Sequence, residues 1–455
     1  MAIMDGGAVS GVEGRSRSVL VGGIPRSGTT MVAAMIGQRE DVFVWPGETW
    51  VLPNVAKLWA GGPPNPECRD QVLGVLHRSL KGALIDMREW NDTYAEPSFE
   101  RKATADEVED LATELTEAAL SAPSSSAALR ASAHILERFQ RRWTDKPYVA
   151  EKTPENVLLY PDLSRALDPV WVICHREPFG VIASLQKRAG ADPFAPWDNS
   201  IETCLGMYLK YGWAVVSIAR SPHASISIAY EEVCATPERV MDRLSVRLGN
   251  KAPPLSRNGY VRAPHADAWQ SFGPQQRWII LALTRGLREH LGYGPEAYSK
   301  SFSEIVQGAS EFPDFATSPL VGVSAEPGRA LRWVGKSSLY GIFCSSPVRR
   351  VEIDLYLPPG LKIDVQRLCV RDCAGRSVAS AALVSGEQVT IGVDTDTICA
   401  SASESGIGVA YLLELRAERV CVPYATVSGN LDERLLSLMA SDFRPAGRSL
   451  SSVGR

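Results

Sequence analysis

Ser18-Val-Leu-Val-Gly-Gly-Ile-Pro-Arg-Ser-Gly-Thr-Thr30 is a β-branched strand running into a glycine-rich turn, and the apolar-periodic stretch Met31 to Ile36 follows directly. That order places free backbone N–H groups and two hydroxyls at the start of a helix. The helix dipole and the unpaired donors there favour a phosphate or sulfate. The spacing from Gly23 to Gly28 matches G-x-x-x-x-G-K-[ST], but Thr29 stands in the lysine position. A nucleotide triphosphatase without that lysine loses its main contact to the transferred phosphate. The positive charge sits inside the loop instead, at Arg26. The stretch reads as an anion cradle, and not as a holder of the terminal phosphate of ATP.

Outward from the loop, strand-like runs alternate with helical ones up to about residue 300. Residues 19–23, 42–44, 148–150, 170–174 and 225–230 are short, apolar and mostly β-branched, with longer stretches at 106–120, 127–142, 201–220 and 237–248 between them. Thr236-Pro237 supplies an N-cap followed by proline at the first helical position. The alternation predicts an α/β fold, a P-loop-like and mostly parallel sheet with helices on both faces. Ligands of such sheets bind at the carboxyl ends of the strands. Beyond residue 300 the period changes. Val351, Ile353 and Leu355 alternate with Glu352, Asp354 and Tyr356, residues 388–393 repeat the pattern, and Pro358-Pro-Gly360, Gly375, Gly386 and Gly406 punctuate the runs. A separate C-terminal antiparallel β-sandwich domain is expected. The predicted organisation is a flexible N-terminus over 1–17, the α/β domain over 18–300 and a linker over 301–327. An accessory sandwich over 328–430 and a tail over 431–455 with one short amphipathic helix complete it.

The 455 residues suffice for two or three cores. A net charge of −4 counts against a general nucleic-acid binder. No apolar run is long enough for a transmembrane segment, and the first 18 residues lack a hydrophobic signal core, so a cytoplasmic protein is expected. The nine cysteines form no regular framework, and all six histidines precede residue 291. Reduced, buried thiols and no metal site are expected.

Three further segments carry residues suited to anion chemistry. His175-Arg-Glu-Pro-Phe-Gly-Val-Ile-Ala-Ser184 follows a strand, with Arg176 at its carboxyl end and Ser184 inside the next helix. A guanidinium and a hydroxyl so placed can surround one phosphate. Tyr230 ends another predicted strand and could lie against a purine, and Glu151-Lys-Thr-Pro154 puts Lys152 at the end of a third. With the Gly23–Thr30 loop, these segments resemble the sulfotransferases that use 3′-phosphoadenosine 5′-phosphosulfate (PAPS). The likeness is strongest to the protein-tyrosine sulfotransferases and similar bacterial enzymes. The G-x-P-R-S-G-T-T loop of that family stands here as Gly23-Ile-Pro-Arg-Ser-Gly-Thr-Thr30. Its G-E-E-T stretch is similar to Gly47-Glu-Thr49, followed by Val51-Leu-Pro53, with one glutamate in place of two. The resemblance spans about residues 18 to 250 and stops short of the sandwich.

The resemblance implies a role for each matching residue. The backbone of Ser27, Gly28, Thr29 and Thr30, with the side chains of Arg26, Thr29 and Thr30, would hold the 5′-phosphosulfate. Arg176 and Ser184 would bind the 3′-phosphate, with Arg188 as an extra contact, and Tyr230 would flank the adenine. Glu48 would be the catalytic base, while Lys152 and Arg26 would stabilise the departing phosphate oxygen. PAPS would be a co-substrate, with no permanently bound cofactor and no metal. The expected acceptor is a carbohydrate hydroxyl on a polysaccharide or glycolipid; the alternative is tyrosine O-sulfation of a peptide. A nucleotide kinase and a non-catalytic nucleotide-binding protein are the rivals from other classes, and the missing loop lysine counts against the kinase. Structural readings stand beside these: Glu48 as a cap for a helix near Thr49, His175 as a core histidine, and Ile201–Arg220 as a homodimer face.

Overall fold

The computed structural model describes residues 17–85, 103–192, 197–223, 225–249, 267–309, 316–324, 331–361, 363–398, 401–402, 408–426 and 436–446. Strands β1 (Arg17–Gly23), β2 (Val42–Val44), β3 (Tyr148–Lys152), β4 (Val170–His175) and β5 (Ser225–Ala229) form one sheet in the order β2-β3-β1-β4-β5. Every neighbouring pair is parallel. Helices are α1 (Thr29–Gly37), α2 (Val51–Leu58), α3 (Arg69–Leu84), α4 (Ala105–Ser121), α5 (Ser125–Gln140), α6 (Tyr160–Leu167), α7 (Pro178–Ala191), α8 (Ile201–Ala219), α9 (Tyr230–Ala235), α10 (Pro237–Leu248) and α11 (Pro274–Leu291).

The period of two along the strands sorts side chains into two layers. Val19, Val21, Val170, Val172 and Cys174 join α1 and α10 in one core. Leu20, Trp171 and Ile173 join the larger core made by the remaining long helices. Local chemistry sets the helix starts: Thr104 and Glu107 close a capping box at α4, and Ser200 accepts from the Thr203 N–H at α8. At α10 Thr236 is the N-cap and Pro237 holds the first helical position, both as expected, but the threonine side chain makes no capping bond. Its hydroxyl donates back to the Glu232 carbonyl at 3.3 Å. Tyr230 does not end a strand either; β5 stops at Ala229 and Tyr230 opens α9.

The later strands are β6 (Ala316–Ser324), β7 (Arg332–Cys344), β8 (Arg350–Tyr356), β9 (Val365–Asp372), β10 (Ser377–Val384), β11 (Gln388–Asp394), β12 (Ser401–Ala402), β13 (Val409–Ala417), β14 (Leu438–Ala440) and β15 (Arg444–Pro445). They form the antiparallel C-terminal sheet, with main path β10-β9-β13-β7-β14-β8-β11. Its two end strands lie beside each other, so the sheet curls around a core of Val351, Ile353, Leu355, Val370 and Leu413. Strand pairing reaches past the expected boundaries on both sides. β6 occupies part of the predicted linker, where Pro319 and Gly322 break the strand signal. The register shift after Pro319 accommodates a residue that cannot donate to the ladder. β14 and β15 occupy the described part of the predicted tail, in place of a helix there.

The two sheets are not held apart. Leu339, Phe343, Ala410 and Leu412 of the C-terminal sheet belong to the core of the helical layer. A Cβ on Gly206 of α8 would come within 2.7 Å of the Leu320 carbonyl, so only glycine lets helix and β6 approach this closely. That contact covers α8 around Gly206 from within the chain. No helix among the described residues is long and apolar enough to cross a membrane.

Candidate active site

The five parallel strands end along one edge of their sheet, and each leads into a different part of the candidate site. The centre is the loop after β1. Gly23 has φ 148°, and a Cβ there would lie 2.1 Å from the Cys174 carbonyl oxygen. Glycine thus lets the loop leave β1 pressed against β4, where the Ile24 N–H donates to that same oxygen at 3.0 Å. Arg26 is held in the left-handed region at φ 69°, a conformation that costs a non-glycine residue of order 1 kcal/mol or more. Gly28, at φ 86°, is the N-cap of α1, and no side chain caps that helix start. Thr29 is buried and Thr30 half-buried in its first turn. Ser27 is 1 % exposed, and its Oγ has no hydrogen-bond partner. A buried hydroxyl left in that state is uncommon and needs a reason.

Arg26 joins this loop to the helix after β4. Its Nε donates to Ser184 Oγ at 3.1 Å, across 158 residues of sequence. Arg176, just beyond β4, is 9 % exposed, and its Nε has no hydrogen-bond partner. Its guanidinium carbon lies 4.2 Å from the Tyr230 ring centre, a cation–π distance. The Tyr230 ring in turn packs on the loop, since a Cβ on Gly28 would fall 2.8 Å from its Cδ2. Loop, guanidinium and aromatic ring are therefore contiguous. Arg188, one turn beyond Ser184, is half exposed and pairs with Asp192 at 2.8 Å.

Around Arg176 runs a polar chain of buried His175, Glu177 and Tyr293 and half-buried Glu231. The Tyr293 hydroxyl donates to Glu231 Oε2 at 2.9 Å and lies 2.9 Å from His175 Nδ1. One hydroxyl has one proton, so the histidine nitrogen must carry its own and donate to the tyrosine oxygen. The other Glu231 oxygen accepts the Glu177 N–H at 3.2 Å. The Glu177 carboxylate caps α7, accepting from the Phe179 N–H at 2.8 Å and from the Gly180 N–H. Burial, reinforced by Arg243, lowers His175 to about 4. Burial and the neighbouring Glu231 raise Glu177 to about 7, against the opposing pull of Arg176. His175 is thus a neutral supporting residue, in keeping with its structural reading.

At the far end of the sheet edge, Lys152 closes β3 and Glu48 lies just past β2. The lysine Nζ donates to Glu48 Oε1 at 2.5 Å; the side chains are 1 % and 11 % exposed. Glu48 does not cap a helix, because α2 has Trp50 as its N-cap, at φ 55° and without a side-chain cap. Buried Glu151 fixes the neighbouring backbone, accepting from Thr49 Oγ1 at 3.0 Å, Thr153 Oγ1 at 2.5 Å and Asn156 Nδ2 at 2.5 Å. Beyond it, the Tyr211 hydroxyl donates to Glu155 Oε1 at 2.5 Å. Burial and Glu155 hold Tyr211 well above the usual phenol range, and the Glu48 charge adds to the shift.

Read across the sheet, Glu48 follows β2, Lys152 ends β3, the anion loop follows β1, Arg176 follows β4 and Tyr230 follows β5. Strands in a sheet lie about 4.8 Å apart, so this row extends over roughly 19 Å. The sequence reading did not single out Glu151, Glu177, Glu231 or Tyr293 for these supporting positions. Of the tryptophans that precede residue 100, Trp45 is buried and stacked on Phe139, and Trp59 donates its indole N–H to the Ala119 carbonyl. Trp90 lies outside the described residues.

The model of the sulfotransferase family matches residues 18–254, just over half of the 455. Among solved structures, the sulfotransferase domain of the Synechococcus olefin synthase is similar at 17 % identity, over 53 % of this chain and 76 % of that one, with a TM-score of 0.36. A sulfotransferase of Mycobacterium avium matches at 14 % identity over 64 % of this chain and 75 % of its own, with a TM-score of 0.31. One from Alicyclobacillus acidocaldarius matches at 13 % identity over 63 % of this chain and 100 % of its own, with a TM-score of 0.36. No curated protein matches the chain.

Proposed function

Because the chain belongs to the sulfotransferase family, we propose that it moves the sulfuryl group of PAPS onto a hydroxyl acceptor. The observation that carries this reading is the 3.1 Å bond between Arg26 and Ser184. It joins the loop after β1 to the helix that carries Ser184, which supports one small donor reaching both. The donor set suits such a guest. Ser27 Oγ and Arg176 Nε are buried without hydrogen-bond partners, and the donor's phosphate and sulfate oxygens are acceptors.

In this reading, the uncapped start of α1 with Thr29 and Thr30 binds the 5′-phosphosulfate, and Arg176, Ser184 and Arg188 bind the 3′-phosphate. Tyr230 lies along the adenine. The acceptor oxygen attacks sulfur in line as the bond from sulfur to the bridging phosphate oxygen breaks. Glu48 takes the acceptor proton, and the bond's electron pair leaves on the phosphate. Lys152 and Arg26 stabilise that negative charge as it grows. Lys152 orients the Glu48 carboxylate, and a positioned base of this kind commonly supplies 10²- to 10⁴-fold. The work that remains is positioning.

The acceptor proposed is a carbohydrate hydroxyl, an analogy from the appended β domain. A tyrosyl peptide is the second reading, favoured by the likeness of the loop to the tyrosine sulfotransferases. A cytoplasmic setting belongs to the same proposal. Transfer of ³⁵S from labelled PAPS to a panel of glycans and tyrosyl peptides decides among them. Glu48→Gln keeps an oxygen for Lys152 and should lower turnover about 10²-fold or more while leaving donor binding intact. Unchanged turnover in that variant contradicts the base assignment.

A further inference from the structure

Tyr293 lies well beyond the family-matched residues 18–254, yet its hydroxyl reaches the heart of the clamp. Its position is set by the end of α11. Gly292 takes the left-handed conformation at φ 80°, the Tyr293 N–H donates to the Arg288 carbonyl at 2.9 Å, and Arg288 Nη1 donates to the Tyr293 carbonyl at 3.3 Å. The ring is 5 % exposed and meets His175 edge-on. From there the hydroxyl links His175 to Glu231, and Glu231 holds the Glu177 backbone. His175 and Glu177 are the two chain neighbours of Arg176, and Glu231 is the neighbour of Tyr230. One hydroxyl thus engages the His175 side chain before Arg176 and, through Glu231, the Glu177 backbone after it, next to the ring that stacks on the guanidinium.

We infer that Tyr293, acting through Glu231, is a positioning residue for the donor's 3′-phosphate: it holds Arg176 and Tyr230 in the one arrangement that can grip that group. Tyr293 itself touches neither ligand nor reacting atoms. The inference rests on the proposed donor site. It explains why a tyrosine hydroxyl, a histidine and Glu177 are buried together, with half-buried Glu231 beside them, where the reaction itself employs none of them. It also distinguishes the two ends of the site. Loosening the link should affect the 3′-phosphate end and spare the Glu48–Lys152 end, which lies on the opposite side of the loop.

The test compares adenosine 3′,5′-bisphosphate with AMP by calorimetry on the full chain, wild type against Tyr293→Phe, with Tyr298→Phe as control. Tyr298 is also buried beside α7, but its hydroxyl has no partner. The wild type should prefer the bisphosphate. Tyr293→Phe should weaken the bisphosphate about tenfold and AMP by less than about twofold, the scale of one or two hydrogen bonds. The KM for PAPS should rise with kcat within about twofold, and Tyr298→Phe should behave as wild type. A wild type that binds both nucleotides equally would sink the proposed 3′-phosphate clamp and this inference with it. A discriminating wild type with an equally discriminating Tyr293→Phe overturns the inference alone. Glu231→Gln breaks the same link from its other end and should also lose the preference; if Tyr293→Phe proves too unstable to measure, retained preference in Glu231→Gln overturns the inference.

Discussion

The Glu48–Lys152 and Arg176–Glu177 pairs show how single residues set the chemistry of the edge. Lys152 is almost wholly buried against Glu48, and an isolated ammonium there would be costly, so each charge maintains the other. Glu177 has the opposite character. Burial and Glu231 raise it to about 7, so it is half protonated near neutrality and ionised above that. A 3′-phosphate bound to Arg176, as proposed, would disfavour the ionised form further. Binding therefore takes up protons, and affinity should fall as pH rises through 7. The phosphate's second ionisation, near pH 6, is complete above pH 7 and does not contribute there. Between pH 7 and 9, affinity for adenosine 3′,5′-bisphosphate should drop roughly three- to tenfold, the limit for one proton being tenfold per pH unit. Calorimetry on Glu177→Gln, which keeps an acceptor for the α7 N–H groups, should show a flat profile; an unchanged slope would exclude Glu177 as the titrating group.

At the scale of elements, the strand–loop–helix unit from β1 to α1 is built around glycines with separate duties. Gly23 presses on the backbone of β4, while Gly28 leaves room only for the Tyr230 ring. Gly28→Ala adds a methyl 2.8 Å from that ring and strains a φ of 86°. It should destabilise the protein by about 1–3 kcal/mol and weaken nucleotide binding tenfold or more, read by thermal melts with and without ligand. Retained binding would mean that the ring is not part of the site. This unit was legible in the sequence because its signals are local: a β-branched run, a turn and a helix start. The ends of β3 and β4 were legible for the same reason. Tyr293, Glu231 and Glu177 were not, since the bonds joining them to the site cross 118, 62 and 54 residues without any period to announce them. β6 was missed because Pro319 and Gly322 mimic a linker, and Tyr230 was placed on a strand because an apolar run does not show where the backbone turns.

Over the whole molecule, the parallel sheet spreads the site along one edge, and strand order decides what stands beside what. The order β2-β3-β1-β4-β5 puts the Gly23–Thr30 loop in the middle, the buried Glu48–Lys152 ion pair on one side and the guanidinium–aromatic stack on the other. The antiparallel sheet packs into the same helical core through Leu339, Phe343 and Leu412, and α11, which lies against it, carries Tyr293 at its end. The switch from a parallel to an antiparallel sheet was readable as a change of period near residue 300; the shared core was not, because which face of a sheet meets which helix is a property of packing. The most direct measurement is a crystal structure of the protein with adenosine 3′,5′-bisphosphate. One nucleotide should span the edge, its 5′-phosphate on the backbone of Ser27 to Thr30 and its 3′-phosphate against Arg176 and Ser184. Density for a nucleotide that engages the loop but leaves Arg176 and Ser184 untouched would contradict the shared-donor site.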